Sequence, residues 1–359
     1  MDTAVYDRLL GSLTLRGGAL LPQKTEEFRA LMEELYTEEE ADLAGAMPMG
    51  SVPAAKIVEA AGRPVAEVTA LLERMADKGL VVVTERQGMK RYTIPPLVPG
   101  IFEYQFMKGQ STERDKKLAR LFEDCFQSLR NAPDRVRGPS VPFARVIPVE
   151  REIRAGLDVH PYERVSAYIE ATEHIAVSAC YCRHHGELVG DPCDKPKDVC
   201  LSFGPSAKFI AERGFGRLIS KEEAKKVLDI SEEAGLVHCS SNTSQYIDFI
   251  CNCCICHCGI LKTTKDRQRL SLGAHSGYIV EVDAEACVGC ETCLDRCQMD
   301  ALSLQEGVIS RDAIGCIGCG LCVSACPTGA LRMVARTPHQ APPKDRGELM
   351  LSMMASMQK

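Results

Sequence analysis

Eight cysteines towards the C-terminal end of the sequence have the spacing of metal ligands. The pattern Cys-x-x-Cys-x-x-Cys-x-x-x-Cys occurs twice, 29 residues apart, at Cys287, Cys290, Cys293, Cys297 and again at Cys316, Cys319, Cys322 and Cys326. The repeat extends beyond the cysteines, since Ala301-Leu302 aligns with Ala330-Leu331, and this indicates a duplicated unit. Three thiolates on one tight loop can bind three irons of a cubane cluster, while the fourth points towards the other copy's cluster. The spacing therefore predicts two 4Fe-4S clusters with crossed ligation.

This segment resembles the two-cluster bacterial ferredoxins between Tyr278 and Met333. The resemblance implies that one cluster is bound by Cys287, Cys290, Cys293 and Cys326, and the other by Cys316, Cys319, Cys322 and Cys297. One position departs from the family's pattern, because Pro327 follows the last cysteine of the second copy whereas Gln298 stands at the equivalent place in the first. Structural zinc is the alternative for four thiolates, but zinc sites usually pair two Cys-x-x-Cys knuckles rather than three cysteines on one loop.

Ten further cysteines lie within 79 positions in the middle of the chain. They are Cys180, Cys182, Cys193, Cys200, Cys239, Cys251, Cys253, Cys254, Cys256 and Cys258. Thiols left exposed inside a cell oxidise, so this density indicates metal binding, with ligands from distant segments converging. Adjacent Cys253 and Cys254 point to opposite sides of an extended chain and are expected to serve different irons or different clusters. We expect at least one further iron-sulfur cluster here, with zinc as the alternative.

Histidines and two basic residues accompany these cysteines. His184, His185, His238 and His257 each lie within three residues of a central cysteine, and they can bind metal, hydrogen-bond to cluster sulfur or donate protons. A supporting or surface position is the expected role. Arg183 and Lys208 can bind a substrate anion or offset the charge of the thiolates, and the sequence does not decide between these.

The first 100 residues have the element order of a winged helix. An acidic helical pattern over Thr25 to Met47 is followed by a short helix, a longer helix at Val65 to Lys78 and a hairpin around Gln87-Gly88. Winged helices usually bind DNA. Residues 1–100, however, carry fifteen acids and eleven bases, whereas DNA-binding domains normally present a basic face. Docking or dimerisation is therefore the expected role, and DNA is not an expected partner.

Composition shifts divide the chain into five predicted segments. These are a winged-helix-like domain (1–100), a helical linker region (101–148), a cysteine-rich metal-binding domain (149–276), a two-cluster ferredoxin domain (277–335) and a tail (336–359). In the linker region Cys125 falls on the apolar face of a helix over Ser111 to Arg130 and is expected to be core. The fold class is α+β multidomain, with a cysteine-rich central α/β domain. The Met-rich end of the tail is expected to be a short amphipathic helix or a frayed end.

The cysteine usage also predicts the compartment. Nineteen cysteines in 359 residues cluster in metal-ligand spacings rather than as a disulfide framework, and Met1 to Leu10 lacks a basic region leading into an apolar one. The sequence has no window of about 18 uninterrupted apolar residues, so no membrane span is predicted. We therefore expect the protein to be located in a reducing cytoplasm.

The order of the segments resembles a group of ferredoxin-type proteins from anaerobic microbes. That resemblance implies anaerobic electron transfer and assigns no catalytic residue. The first prediction is an iron-sulfur protein that passes electrons through two 4Fe-4S clusters to the central cysteine site or to a redox partner protein, with a homo-oligomer as a further option. A redox-sensing winged-helix regulator and an oxidoreductase with its own substrate site in the central domain are the alternatives.

Overall fold

The computed structural model shows a mixed α/β chain with many helices and small sheets. It describes residues 3–18, 20–131, 141–153, 161–266, 273–337 and 341–357. The chain forms two compact units. The N-terminal unit comprises Met1–Val136, Ser178–Pro192 and Lys208–Arg217, and the C-terminal unit comprises Arg137–Val177, Cys193–Ala207 and Leu218–Lys359. Two short segments from the middle of the sequence thus belong with the N-terminal unit, which the five predicted segments do not anticipate.

The N-terminal unit begins with three helices, α1 (Thr3–Leu15), α2 (Glu26–Leu35) and α3 (Glu38–Ala46). The single helix predicted over Thr25 to Met47 is wrong, because the chain breaks at Tyr36 and restarts at a capping box. There Thr37 accepts from the Glu40 backbone N–H and the Glu40 carboxylate accepts from that of Thr37. Helix α1 was not predicted, although its buried residues have helical spacing (Val5, Tyr6, Leu9, Leu10, Leu13).

Two helices and a small antiparallel sheet follow. Their bounds are β1 (Val52–Pro53), α4 (Ala54–Ala61), α5 (Val65–Asp77), β2 (Val82–Arg86) and β3 (Met89–Thr93), with strand order β1-β3-β2. The β2–β3 turn uses two residues with positive φ, Gln87 at 54° and Gly88 at 71°, as a two-residue hairpin requires. The assignment of this region as a winged helix stays a prediction.

An aromatic cluster explains why a middle segment joins the N-terminal unit. Helices α6 (Ile101–Phe106) and α7 (Glu113–Asn131) pack with α9 (Tyr181–Leu188). The Phe102 ring meets the rings of Tyr181 and His185 edge to face, at centroid distances of 6.0 and 5.4 Å. Cys125 lies fully buried in the same core, as expected from its helix face, and burial raises the pKa of its thiol to about 12.

The middle of the chain builds a six-stranded sheet with order β4-β8-β9-β6-β5-β7. Its strands are β4 (Ala144–Val146), β5 (Ile175–Ser178), β6 (Cys200–Phe203), β7 (Arg217–Ile219), β8 (Val237–Ser241) and β9 (Phe249–Cys253), and its helices are α8 (Val165–Ala171), α10 (Gly204–Glu212), α11 (Lys221–Glu233) and α12 (Gly259–Lys265). Helix α8 ends before Ile175 and Ala176, which enter β5. Ser220 caps α11, since its hydroxyl accepts a hydrogen bond from the Glu223 N–H at 3.1 Å.

The duplicated cysteine unit forms two small antiparallel sheets. Strands β10 (Tyr278–Val282) and β13 (Leu331–Ala335) pair with each other, as do β11 (Leu302–Gln305) and β12 (Val308–Arg311). Short helices α13 (Thr292–Arg296) and α14 (Leu321–Ser324) carry part of the cysteine pattern, and α15 (Arg346–Met357) follows in the tail. Across the described ranges, no helix has both the length and the apolar character needed to cross a membrane.

Replacing Glu73 by Gln tests the ion-pair network on α5. Burial raises the pKa of Glu73, but hydrogen bonds from Arg213, Lys90 and Tyr92 outweigh it and lower the pKa to about 2. Because the folded pKa lies below the ordinary value of 4.5, the stabilisation is complete above pH 4.5 and is lost as the pH falls towards 2. We expect the variant to lose on the order of 1–2 kcal/mol at pH 7 after allowance for solvent screening. Urea denaturation measures the loss in free energy of unfolding, and hydrogen exchange of the α5 amides measures it locally.

Glu85→Gln on the exposed hairpin is the matched control and should change stability little. Equal stability of the Glu73 variant and the parent protein at pH 7 would contradict the role of this carboxylate.

Candidate metal and electron-transfer site

Each copy of the duplicated unit presents three cysteines on a tight loop that ends in a short helix. The loops need glycine, since Gly289 and Gly318 have φ of 60° and 68°. A Cβ at Gly318 would lie 2.0 Å from the Tyr278 carbonyl oxygen, a clash that no side chain avoids. The third cysteine of each loop, Cys293 or Cys322, lies in α13 or α14.

The fold brings together three cysteines of each copy with the fourth cysteine of the other. One cavity is lined by Cys287, Cys290, Cys293 and Cys326, together with apolar residues such as Ile309. These four are called the outer group, because Cys290 is exposed. The inner group consists of Cys297, Cys316, Cys319 and Cys322, whose thiols interact electrostatically with one another.

The electrostatics of the two groups differ. Burial raises the pKa of Cys319 to about 12, and burial together with the neighbouring thiols raises that of Cys322. By contrast, hydrogen bonds from Thr292 lower the pKa of Cys290. Buried, crowded thiols resist ionisation unless a cation shares their space. The inner group is thus suited to a bound metal centre rather than to reactive free thiolates.

A third set of thiols lies on one face of the six-stranded sheet. Cys239 on β8 is directly opposite Cys251 on β9, and Cys253 lies two residues further on the same face, because strand side chains alternate. Cys258 immediately precedes α12. These four residues, named the buried thiol group, are at most 6 % exposed. Hydrogen bonding of Cys253 with Cys239, Cys251 and Cys258, together with burial, raises the pKa of Cys253.

The opposite face of the same strands holds a polar network that the sequence reasoning missed. His238 Nδ1 lies 2.5 Å from Asn252 Oδ1, and His238 Nε2 lies 3.2 Å from Glu232 Oε1. Arg151 pairs with the other oxygen of Glu232 at 2.7 Å. Asn252 lies between Cys251 and Cys253 in the sequence, and side chains of a strand alternate between its two faces. This polar residue between two cysteines is the signal that could have indicated the second face. His238 therefore supports the sheet behind the buried thiol group and lies away from its sulfurs.

A fourth set, named the tight tetrad, consists of Cys193, Cys254, Cys256 and His257. One ligand atom from each residue lies within 4.8 Å of all the others. The Cys193 sulfur is 3.8 Å from that of Cys254 and 3.4 Å from that of Cys256. Burial and hydrogen bonds with Cys254 and Cys193 raise the pKa of Cys256. The adjacent Cys253 and Cys254 belong to different groups, the arrangement expected from their opposed side chains.

The remaining residues of interest are not members of these four sets. Cys180 and Cys182 belong to the N-terminal unit. Cys200 begins β6, where the register that pairs Leu201 with Ile250 places it beside Cys251 of β9. His184 Nε2 lies 2.7 Å from the Gln110 carbonyl oxygen and His185 Nε2 lies 3.0 Å from that of Ala119, so both rings bind backbone. Arg183 is 1 % exposed, and Lys208 faces Glu212 at 3.8 Å on the surface of α10.

Gln298, the residue that departs from the ferredoxin pattern, joins the inner group to the central cysteines. Its side-chain oxygen accepts a hydrogen bond from the Ile255 N–H at 3.0 Å, and its amide nitrogen donates to the Gly235 carbonyl at 2.6 Å. Arg296 donates to the carbonyls of Glu233 and Glu232 at 2.8 and 2.6 Å, at the C-terminal end of α11, where a cation is favourable. A proline at position 298 would lose both Gln298 contacts.

Comparison with known proteins supports iron-sulfur binding in the second copy of the duplicated unit. A model of the 4Fe-4S binding domain matches residues 311–332, the segment that contains Cys316, Cys319, Cys322 and Cys326. No curated protein and no solved structure matches the chain. The chain therefore has an iron-sulfur, ferredoxin-type region near its C-terminal end, and its chemistry is electron transfer or a related redox function.

Replacing Gln298 by Ala tests the junction with the central cysteines. The variant removes the acceptor of the Ile255 N–H, a loss on the order of 1 kcal/mol, and should speed exchange of that amide roughly fivefold. Hydrogen exchange of a peptide spanning residues 251–258 measures the effect. Gln305→Ala is the control, since Gln305 is exposed on β11 and its side chain donates to the nearby Ser303 hydroxyl at 3.3 Å. Unchanged exchange at Ile255 would show that Gln298 does not hold this loop.

Proposed function

We propose that this protein is an iron-sulfur electron-transfer protein with two 4Fe-4S clusters in its C-terminal region. The observation that carries the proposal is the grouping of the eight C-terminal cysteines, three from one copy with one from the other. Clusters bound by such groups accept and release single electrons. The protein's own contribution is the spacing, burial and hydrogen bonding of the cysteine sulfurs.

The difference in exposure supports a direction for electron flow. Cys290 of the outer group is exposed, and beside it Val288 is 68 % exposed, an apolar side chain that a redox partner protein can cover. The inner group is more buried, with Cys316 and Cys322 each at most 9 % exposed. We infer that a partner exchanges electrons at the outer group and that the inner group connects to the interior of the C-terminal unit.

The contacts of Gln298 support electron transfer from the inner group to the central cysteines. Gln298 follows Cys297 of the inner group and hydrogen-bonds to Ile255, which lies between Cys254 and Cys256. This hydrogen bond connects the residue next to Cys297 with the stretch between Cys253 and Cys258 of the buried thiol group. We propose the buried thiol group as the ligands of a further iron-sulfur cluster, because it offers four thiols in a site from which water is excluded.

Hydrogen bonds to sulfur provide a means of setting the reduction potentials of the two C-terminal sites. The Ala301 N–H donates to Cys297 Sγ at 3.3 Å, and the Thr292 hydroxyl donates to Cys290 Sγ at 3.5 Å. Such bonds stabilise negative charge on a ligand sulfur and raise the reduction potential, whereas burial favours the less charged state. The two sites therefore differ in burial and in the donor that contacts sulfur, a backbone N–H at Cys297 and a hydroxyl at Cys290.

For the winged-helix-like region we propose protein docking or dimerisation rather than DNA binding. Arg213 binds Glu73 and Asp77 of α5 at 2.5 and 2.6 Å, so the acidic side of that helix is paired within the N-terminal unit. Of the hairpin's bases, Lys90 is paired with Glu73. A recognition helix with these acidic residues would repel phosphates. This argues against the redox-sensing regulator.

Iron and acid-labile sulfide per chain test the proposed clusters on anaerobically purified full-length protein. We expect about twelve of each, in three cubane sites. Cys290→Ser, Cys319→Ser and Cys251→Ser should each lower the iron by about four, because each removes one ligand of a different site. Cys125→Ser, in the apolar core, should leave the iron unchanged. Fewer than about eight irons in the unaltered protein would overturn the two-cluster proposal.

Fluorescence anisotropy with duplex DNA of mixed sequence tests the assignment of the N-terminal region. We expect no salt-dependent binding at micromolar protein, since the region lacks the basic face that neutralises phosphates. A variant with Glu67 and Asp77 both changed to Lys provides the comparison and should gain weak, salt-sensitive affinity. Salt-sensitive binding by the unaltered protein would favour a regulator.

A further inference from the structure

The tight tetrad has the dimensions of a site for one metal ion. A tetrahedral ion with metal–sulfur bonds of about 2.3 Å holds its sulfur ligands about 3.8 Å apart. The Cys193 sulfur lies 3.8 Å from that of Cys254 and 3.4 Å from that of Cys256. The ligand nitrogen of His257 also lies within 4.8 Å of all three sulfurs.

A cubane cluster would require a wider spacing. Each cysteine of a 4Fe-4S site binds a different iron, so the sulfurs are farther apart than ligands that share one ion. Among the residues that the structure describes, the eight C-terminal cysteines, which carry the ferredoxin spacing, form no group within the 4.8 Å limit that the tetrad meets. The tight tetrad thus differs geometrically from the two C-terminal cysteine groups.

We propose that Cys193, Cys254, Cys256 and His257 bind a single Zn²⁺ ion. Three thiolates and one imidazole in tetrahedral arrangement are a donor set that structural zinc sites use. All four positions are supplied by protein, which leaves no open position for a substrate. This site is separate from the iron-sulfur relay of the proposed function and adds a structural metal to the C-terminal unit.

The site has a structural consequence for its neighbours. Cys254, Cys256 and His257 lie on one short stretch, whereas Cys193 precedes β6, so the ion joins two segments 61 residues apart in the chain. Cys253 and Cys258, which flank this stretch, belong to the buried thiol group. A zinc ion here fixes the loop that presents two of that group's four thiols, without taking part in electron transfer, because Zn²⁺ has no redox chemistry.

Zinc and iron content of the full-length protein, measured together, test the proposal. We expect about one zinc per chain, falling below about a tenth of an ion in Cys193→Ser. His257→Cys should keep one zinc, because a thiolate replaces the imidazole, whereas His257→Ala should lose most of it. Cys125→Ala, outside the tetrad, should retain zinc. X-ray absorption at the zinc edge should show three sulfurs and one nitrogen in the unaltered protein, and four sulfurs in His257→Cys.

Several results would overturn the zinc site. They are iron in place of zinc, zinc that survives Cys193→Ser, or a zinc spectrum that does not change in His257→Cys. Because His257→Cys retains a complete ligand set, its spectrum decides the matter even if Cys193→Ser fails to fold. The outcome is independent of the electron-transfer proposal. A normal iron count without zinc would refute only this site, and zinc without iron at the C-terminal cysteines would refute only the clusters.

Discussion

The packing of thiols against one another inside the C-terminal unit is the constraint on which the rest of that unit depends. Thiols that share a buried space cannot all ionise, and the raised pKa values of Cys253 and Cys322 express that cost. A bound cation offsets this cost, because the deprotonated thiols then bind it as ligands. The strands, loops and short helices around these groups hold sulfurs so close together that they must either stay protonated or share a cation.

Strand alternation separates two kinds of chemistry on a single pair of strands. One face of β8 and β9 carries Cys239, Cys251 and Cys253, and the other carries His238 and Asn252, tied to Glu232. The polar network satisfies buried groups that would otherwise be costly, and it fixes the strand register that aligns the thiols. A register shift of one residue would exchange the two faces and scatter the sulfurs. The polar face is therefore as necessary to the site as the cysteines.

The parts of the fold that local chemistry controls were predictable. Glycine at positions 289 and 318 permits the tight cysteine loops, Ser220 marks the start of α11, and Gln87-Gly88 marks the hairpin. Elsewhere local signals misled. The apolar spacing over Thr25 to Met47 continues through Tyr36, but the chain breaks there because the capping box at Thr37 satisfies the next helix start. The polar partners of His238 could not be foreseen, since they depend on strand pairing.

The sequence by itself determined the two cysteine loops of the duplicated unit, because their cysteines lie within a few residues of one another and the covalent chain fixes their spacing. It also separated Cys253 from Cys254, since neighbouring side chains of an extended strand oppose. Only the tertiary structure decided that Cys193 meets Cys254, and that Gln298 reaches Ile255. Those contacts join residues 61 and 43 positions apart, so they follow from sheet order and packing, which no local pattern encodes.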